Sequence, residues 1–162
     1  MRLAAIFILI WHVGFAQERQ QEINNQVWKP FIRSFSEFDT EAFMALHSKE
    51  VIRSARDAKS ILNWQEYYDE QKSGDVHAKS SGYKRLIELR FTERIASDTQ
   101  AIDVGIYKTT SINAKGESRS FYGRFHVALK KENGKWKIIV DTDSSEGNTI
   151  SESDFTKALP LE

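Results

Sequence analysis

The chain has 162 residues, of which 40% are hydrophobic, 12% aromatic and 28% charged. That is enough for one domain with a substantial core and too little for two. Its 23 basic and 23 acidic residues alternate along the sequence with no basic stripe, which argues against nucleic acid as a partner. No cysteine is present, which excludes a disulfide framework and a cysteine-linked lipid.

Residues 1–16, MRLAAIFILIWHVGFA, predict a signal peptide. Arg2 precedes an apolar run from Leu3 to Phe15, and small residues precede Gln17, where we expect cleavage. The run is shorter than the roughly 20 residues that span a bilayer, so we expect no stable membrane anchor. Losing one basic and no acidic residue leaves a net charge of minus one. The sequence predicts an exported protein, periplasmic or extracellular.

Two helices are predicted after the cleavage site. Apolar residues recur at helical spacing over Gln20 to Glu37, which predicts an amphipathic helix. Pro30 lies inside it, so the helix is expected to kink or restart there. Asp39 is placed to cap a second, short helix over Thr40 to His47.

A short strand and a third helix follow. Val51 to Arg56 is predicted as the strand. Asn63 and Glu66 form a capping-box pattern at the start of the helix, and Gly74 is expected to end it. A polar loop over Asp75 to Gly82 then leads into the second half of the chain.

The second half predicts an antiparallel meander, so that helices precede strands in an α+β pattern. The predicted strands are Lys84 to Ala96, Ala101 to Ile112, Ser118 to Lys131 and Lys135 to Thr142.

Two turns set the predicted register of this sheet. Asn133 and Gly134 are typical of a two-residue type I′ turn. Such a turn pairs three sets of residues on one face: Leu129 with Ile138, Val127 with Val140, and Phe125 with Thr142. A two-residue loop at Lys115 and Gly116 would place Ile106 opposite Phe125 on the same face. The predicted inner face is therefore apolar.

The chain resembles the nuclear transport factor 2-like superfamily, and within it the SnoaL-like proteins of unassigned function. The resemblance covers roughly Glu22 to Ser145 and rests most on the hairpin segments GRF, KKENGKWKI and DTDSS. It implies a cone-shaped, cystatin-like fold in which three N-terminal helices pack against a curved antiparallel sheet around a pocket, often in a dimer. We therefore assign residues 17–145 to this domain and residues 146–162 to a C-terminal tail with a short helix.

The resemblance also implies what the pocket lacks. Relatives often carry histidines where this chain has Val140 and Thr142, and an arginine near Ile106. The predicted pocket residues are mostly apolar: Trp28, Ile106, Phe125, Val127, Val140 and Thr142. We therefore expect binding of a small, largely apolar molecule without assigned catalytic residues, cofactor or metal. The alternatives are an isomerase, dehydratase or hydrolase like the enzymes of the superfamily, which include ketosteroid isomerase, and a non-catalytic dimerisation or interaction domain.

The opposite face carries a possible acid–base pair. The same register sets His126 opposite Asp141 and Arg124 opposite Asp143. A histidine oriented by an aspartate can act as a general base, but cross-strand charge pairs on a convex face are the favoured interpretation. In a third interpretation, the sheet mediates a homodimer, which is the state we expect, through the row Tyr107, Tyr122, Arg124, His126 and Ile139.

The sequence favours neither of two candidate metal sites. Asp141 to Glu152 is suggestive of a calcium loop, but Glu146 occupies the glycine position and the loop leaves a strand. A polar loop before a helix capped by Ser151 is favoured. The histidines after residue 16 lie too far apart in sequence for a zinc pair.

Overall fold

The computed structural model describes residues 17–162, so the predicted signal peptide lies outside the described residues. Helix α1 covers residues 17–37 of these, and the later helices are α2 (Thr40–Met44), α3 (Trp64–Ser80) and α4 (Glu152–Lys157). None of these helices is both long and apolar enough to cross a bilayer.

Seven strands form one curved sheet. They are β1 (His47–Ala55), β2 (Ser60–Leu62), β3 (Lys84–Ala96), β4 (Gln100–Ile112), β5 (Ser118–Glu132), β6 (Lys135–Ser144) and β7 (Leu159–Pro160). Their order is β2-β1-β6-β5-β4-β3-β7. The predicted α+β class is confirmed, with one addition: β1 pairs with β6 in parallel, while every other pairing is antiparallel.

Helix α1 continues through Pro30, where a kink or a restart is expected from the sequence, and changes from a π-helical turn to an α-helix at Lys29. Asn24–Trp28 is a π-helical turn, in which the Lys29 amide donates to the Asn24 carbonyl. Pro30 then falls in the first turn of the α-helical segment Lys29–Glu37, directly after the π-helical turn, where the change in hydrogen-bond spacing accommodates its missing N–H. The apolar side of α1 packs on the sheet through Ile23, Val27 and Trp28.

Helices α2 and α3 begin where predicted. Asp39 accepts a 3.0 Å hydrogen bond from the Ala42 amide, and Asn63 with Glu66 forms a complete capping box. The predicted end of α3 at Gly74 and the polar loop after it are wrong, because α3 continues to Ser80. Asp75 follows Gly74 and is buried, and its tertiary contacts hold the helix together past the glycine.

The β5–β6 turn is confirmed but the register beyond it is not. Asn133 and Gly134 both have positive φ, 50° and 78°, as a type I′ turn requires, and Leu129 pairs with Ile138. A β-bulge at Ile139 then shifts the pairing by one residue. The predicted pairs of Val127 with Val140 and of Phe125 with Thr142 are therefore wrong. Val127 faces Asp141, and Phe125 faces Asp143.

The β4–β5 register is also shifted by one. The loop contains three residues, 114–116, rather than two, and the Asn113 amide donates to the Glu117 carbonyl across its base. Gly116 has a φ of 84°, which suits the left-handed position of a three-residue hairpin loop. Phe125 consequently pairs with Gly105, and Ile106 points to the outer face of the sheet.

The C-terminal residues pack on that outer face. Phe155 of α4 is buried with its ring centroid 6.0 Å from that of Tyr122, and the Arg90 guanidinium lies 4.9 Å from the Phe155 centroid. Strand β7 then pairs with β3. The tail helix therefore covers part of the sheet surface to which the dimer row was assigned.

Candidate functional site

A cavity of about 400 Å³ lies between α1, α3 and the inner face of the sheet. Its floor is aromatic and aliphatic: Trp28, Phe31, Phe35, Ile87, Leu89, Phe125 and Val127. Its remaining wall and rim are largely polar: Arg53, Tyr67, Glu70, Gln71, Arg85, Tyr107, Thr109, Asp141 and Asp143. The cavity thus has an apolar half and a charged half.

Half of the predicted pocket residues line this cavity. Trp28, Phe125 and Val127 do so, as expected from helical spacing and from the alternation of β5. Ile106, Val140 and Thr142 do not, because both hairpin registers differ from the predicted ones by one residue. Ile106 is buried on the outer face, Val140 pairs there with Ile52 and Ala128, and Thr142 faces His126.

A buried ion pair fixes Trp28 in the cavity floor. The indole Nε1 donates to Asp103 Oδ2 at 2.7 Å, and Arg94 binds both oxygens of that carboxylate at 3.0 Å. Asp103 is fully buried, and these donors compensate its charge. The indole also packs against Phe91 and Phe125, with centroids 5.6 and 5.7 Å away.

Two glycines make room for cavity rings. A Cβ atom on Gly105 would approach the Phe125 ring to 2.5 Å, and one on Gly123 would collide with the Tyr107 ring. Each glycine is the direct cross-strand neighbour of the ring that covers it. These close approaches let Phe125 and Tyr107 lie on the sheet and face the cavity.

The charged half centres on two carboxylates of β6 and one guanidinium of β1. Arg53 Nη1 lies 2.5 Å from Asp143 Oδ1 and 3.6 Å from Asp141 Oδ1. The Tyr67 hydroxyl donates to Asp141 Oδ2 at 2.8 Å, and the Tyr107 hydroxyl donates to Asp143 Oδ2 at 3.2 Å. The bulge at Ile139 is what turns both carboxylates inward.

His47 lies behind Asp141. Its Nδ1 is 3.0 Å from the Phe43 carbonyl, which can only accept, so Nδ1 carries a proton. Its Nε2 lies 3.4 Å from Asp141 Oδ2, and the side chain is fully buried. A second proton on Nε2 would make that contact an ion pair.

These contacts set the ionisation of the charged half. Burial raises the pKa of Asp141, but Arg53, His47 and the Tyr67 hydroxyl together outweigh it and lower the pKa to about 2. Burial and the Asp141 charge raise the pKa of Tyr67 well above its usual value, and burial and Asp143 raise the pKa of Tyr107. At neutral pH, Asp141 is ionised and both tyrosines are neutral donors.

A second polar cluster lies at the rim, between α3 and β3. Arg85 donates to Asp75 Oδ1 and to the Phe35 carbonyl, both at 2.6 Å, and its guanidinium lies 3.8 Å from the Phe35 ring centroid. Asp75 also accepts from the Thr40 hydroxyl at 2.7 Å. This cluster explains why α3 continues past Gly74.

The predicted pair of His126 and Asp141 does not form. His126 is exposed on the outer face, whereas Asp141 points into the cavity, and the histidine that Asp141 meets is His47. Arg124, expected to face Asp143, instead binds Glu146 at 3.0 Å. Asp141 therefore does not orient His126 as a general base.

The proposed calcium ligands are likewise divided between strand and loop. Asp141 and Asp143 belong to β6 and face the cavity, so they do not open a cation-binding loop. Ser151 caps α4 in a capping box with Asp154, as predicted. Within residues 17–162, no group of three or more His, Cys, Asp or Glu side chains is placed to hold a metal ion.

Comparison with solved structures identifies the fold. A protein with a cystatin-like fold from Novosphingobium aromaticivorans, described as nuclear transport factor 2-like, superposes with a TM-score of 0.66 at 10% identity, covering 87% of this chain and 90% of that one. One from Salmonella enterica serovar Typhimurium gives 0.62 at 16% identity, covering 77% and 89%. The chain has the nuclear transport factor 2-like fold.

A third similar structure also shares the fold and gives no information about function. A nuclear transport factor 2-like protein of unknown function from Shewanella oneidensis gives a TM-score of 0.58 at 20% identity, covering 74% of this chain and 93% of that one. The sequence matches no family model and no curated protein. At such identities only the nuclear transport factor 2-like fold is shared, and function must be argued from the cavity.

Proposed function

We propose that this protein is an exported domain that binds a small organic molecule in the cone cavity. The observation that carries the proposal is a concave site in which an aromatic floor meets convergent polar groups, the usual composition of a small-molecule site. A volume of about 400 Å³ suits a molecule of modest size. The ligand is expected to be amphipathic rather than largely apolar, because the cavity is also lined by Arg53, Asp141 and Asp143.

The decisive experiment is an untargeted mass-spectrometric screen of ligands that co-purify with the protein. Val127→Phe, on the cavity floor, should reduce ligand occupancy strongly, because the larger ring fills the floor. Val140→Phe is the matched control, since Val140 lies one residue from Asp141 but on the outer face. It should leave occupancy unchanged.

A second cavity variant keeps the test valid if Val127→Phe does not fold. Thr109 lines the cavity and is only half-buried, so Thr109→Phe can enter the cavity with less strain on the core. Loss of ligand in Val140→Phe but not in Val127→Phe or Thr109→Phe would place the binding site elsewhere.

An acid–base enzyme of the isomerase, dehydratase or hydrolase type is the second candidate. A cavity lined only by apolar side chains has no acid or base, but here ionisable groups reach the cavity wall. Asp141 is surrounded by donors, so Asp143 is the better candidate base. Incubation of the identified ligand with the protein distinguishes the two: an enzyme converts it, a binding domain returns it unchanged.

We also propose that a second copy of the chain covers the outer face, which retains the expectation of a homodimer through the sheet. The predicted row is revised, because Tyr107 faces the cavity and Tyr122 packs against Phe155. Direct cross-strand neighbours instead form an apolar row across five strands: Ile52, Val140, Ala128, Ile102 and Ile95.

Sedimentation velocity tests this dimer. Ile102 is 50% exposed, and Ile102→Lys should convert the dimer to a monomer because it places a charge in the apolar row. Ile61→Lys is the control, since Ile61 is 74% exposed but lies outside the row. A wild-type protein that sediments as a monomer would contradict the proposed homodimer.

Export rests on residues 1–16 and is tested by intact mass. Protein recovered from the periplasm of a Gram-negative host should begin at Gln17. Recovery of the uncleaved chain in the membrane fraction would contradict export.

A further inference from the structure

We infer that the ligand of this cavity is an organic cation, a protonated amine on an apolar or aromatic body. The inference rests on the proposed function, because it assigns the charge of the molecule that the cavity binds. Two independent features carry it: the balance of charges along the polar wall, and the aromatic floor beside that wall.

The polar wall holds more negative than positive charge. Arg53 is one guanidinium between two carboxylates, Asp141 and Asp143. Arg85 is matched one for one by Asp75. Glu70 at the rim forms no ion pair with any part of the chain from residue 17 onwards.

The excess persists in either protonation state of His47. With one proton, His47 is neutral and both Asp143 and Asp141 depend on Arg53. With two protons, His47 balances Asp141 from behind, Arg53 balances Asp143, and the charge of Glu70 still remains. The cavity therefore presents a net negative charge to its occupant in both cases.

The floor next to this wall is suited to a cation. The quadrupole of an aromatic ring attracts positive charge to its face, most strongly where water is excluded. The cavity already shows this preference in its own side chains. Arg53 lies 5.3 Å from the Tyr67 centroid, and Arg85 lies 3.8 Å from the Phe35 centroid.

An anionic ligand fits this wall poorly. Arg53 already contacts two carboxylates, and a ligand carboxylate beside it would be a third negative group within the same cluster. The repulsion would be strong because the cluster is largely buried. A neutral ligand would leave the excess charge uncompensated.

Asp143 is the carboxylate that the ligand ammonium would meet. Its side chain is 27% exposed, against 10% for that of Asp141. Asp141 is already enclosed by Tyr67, His47 and Arg53. An ammonium beside Asp143 leaves the apolar body over the floor near Phe125 and Trp28.

Isothermal titration with three matched probes tests the inference: benzylamine, benzyl alcohol and benzoate, at neutral pH and low salt. We expect benzylamine to bind at least about tenfold more tightly than benzyl alcohol, the gain of one charge-assisted hydrogen bond, and benzoate to bind most weakly. Asp143→Asn should remove the preference for the amine and leave the affinity for the alcohol within about twofold.

Two further variants test the contribution of the rim charge. Glu70→Gln removes the rim charge from an exposed position that folding does not require, and should weaken only benzylamine. Asp69→Asn is the control, because Asp69 is exposed on the same helix but does not line the cavity. It should change no affinity.

The outcomes separate this inference from the proposed function. Equal binding of amine and alcohol, still blocked by Val127→Phe, overturns the cationic ligand and supports the cavity as a binding site. Tighter binding of benzoate overturns the inference and assigns recognition to Arg53. Failure of all three probes to bind at millimolar concentration also overturns it, while the ligand screen continues to test the cavity.

Discussion

Two clusters of carboxylate and arginine lie on the inner face of the same sheet, and they differ in how completely they are closed. In the first, which we call the closed cluster, Asp103 accepts hydrogen bonds from two nitrogens of Arg94 and from the indole N–H of Trp28, and it is fully buried. In the second, which we call the open cluster, one nitrogen of Arg53 is shared by Asp141 and Asp143 at the edge of the cavity.

The difference separates structure from function. Asp103 has one matching charge and no room for another molecule, so its role is to hold Trp28 in the cavity floor. The second cluster has an unmatched charge and an open side, which is the condition for recognising something from outside. A buried ion pair is therefore informative about function only when its charges and donors fail to balance.

Breaking the closed cluster should have the largest effect. Asp103→Ala leaves Arg94 and the Trp28 indole without their acceptor, and we expect a loss of about 3–5 kcal/mol in the free energy of unfolding, measured by urea denaturation. Asp98→Ala, which removes the exposed partner of Arg19, should cost less than about 1 kcal/mol. Similar losses in the two variants would contradict the structural role of Asp103.

Neutralising the buried member of the open cluster should have an intermediate, pH-dependent effect. The pKa of Asp141 is lowered from 3.8 to about 2 on folding, so its ionised form stabilises the protein above about pH 4. That contribution is lost as the pH falls towards 2. Asp141→Asn should therefore cost on the order of 2 kcal/mol at neutral pH and flatten the decline in stability between pH 4 and 2.

Asp69→Asn provides the reference for that experiment, because it removes the charge of an exposed carboxylate that lies outside both clusters. The lowered pKa values of Glu22, Asp57 and Asp154 contribute to the acid limb in every variant, so the difference between profiles reports Asp141. Parallel profiles for wild type and Asp141→Asn would contradict the coupling with Arg53.

Neutralising Asp143 should have the smallest effect on folding. Asp143→Asn retains an oxygen that can accept from Tyr107 and gives Arg53 a single carboxylate partner, so the open cluster becomes charge-matched like the closed one. We expect the midpoint of thermal unfolding to change by no more than that of Asp69→Asn. A large loss of stability would mean that Asp143 is structural rather than available to a ligand.

The fold could be predicted from the sequence because the sequence signals for its strands and turns are local and agree with one another. The strand predicted as Ser118 to Lys131 extends to Glu132, and the Asn133 and Gly134 turn has the expected positive φ values. The end of α3 could not be predicted. Gly74 is a sound local signal, but it is overridden by a buried ion pair between Asp75 and Arg85 of β3, a tertiary contact that no local pattern indicates.

Only half of the predicted pocket residues line the cavity, and the reason is the two-residue period of strands. Ile138, Ile139 and Val140 are three consecutive apolar residues, so two alternations fit equally well and the extra residue is invisible. Inward carboxylates at Asp141 and Asp143 also contradict the rule that apolar residues face the core. Only the alternation of aspartates in Asp-Thr-Asp hinted at a charged inner face.

The unpaired residue in β6 decides which side chains of the strand reach the cavity. If Ile139 paired with Ala128 in place of the bulge, Val140 and Thr142 would turn into the cavity and both aspartates to the outer face, while every turn and helix kept its sequence. The acidity of the cavity therefore depends on one β-bulge. A slip of one residue at this position would exchange a charged wall for an apolar one without any substitution.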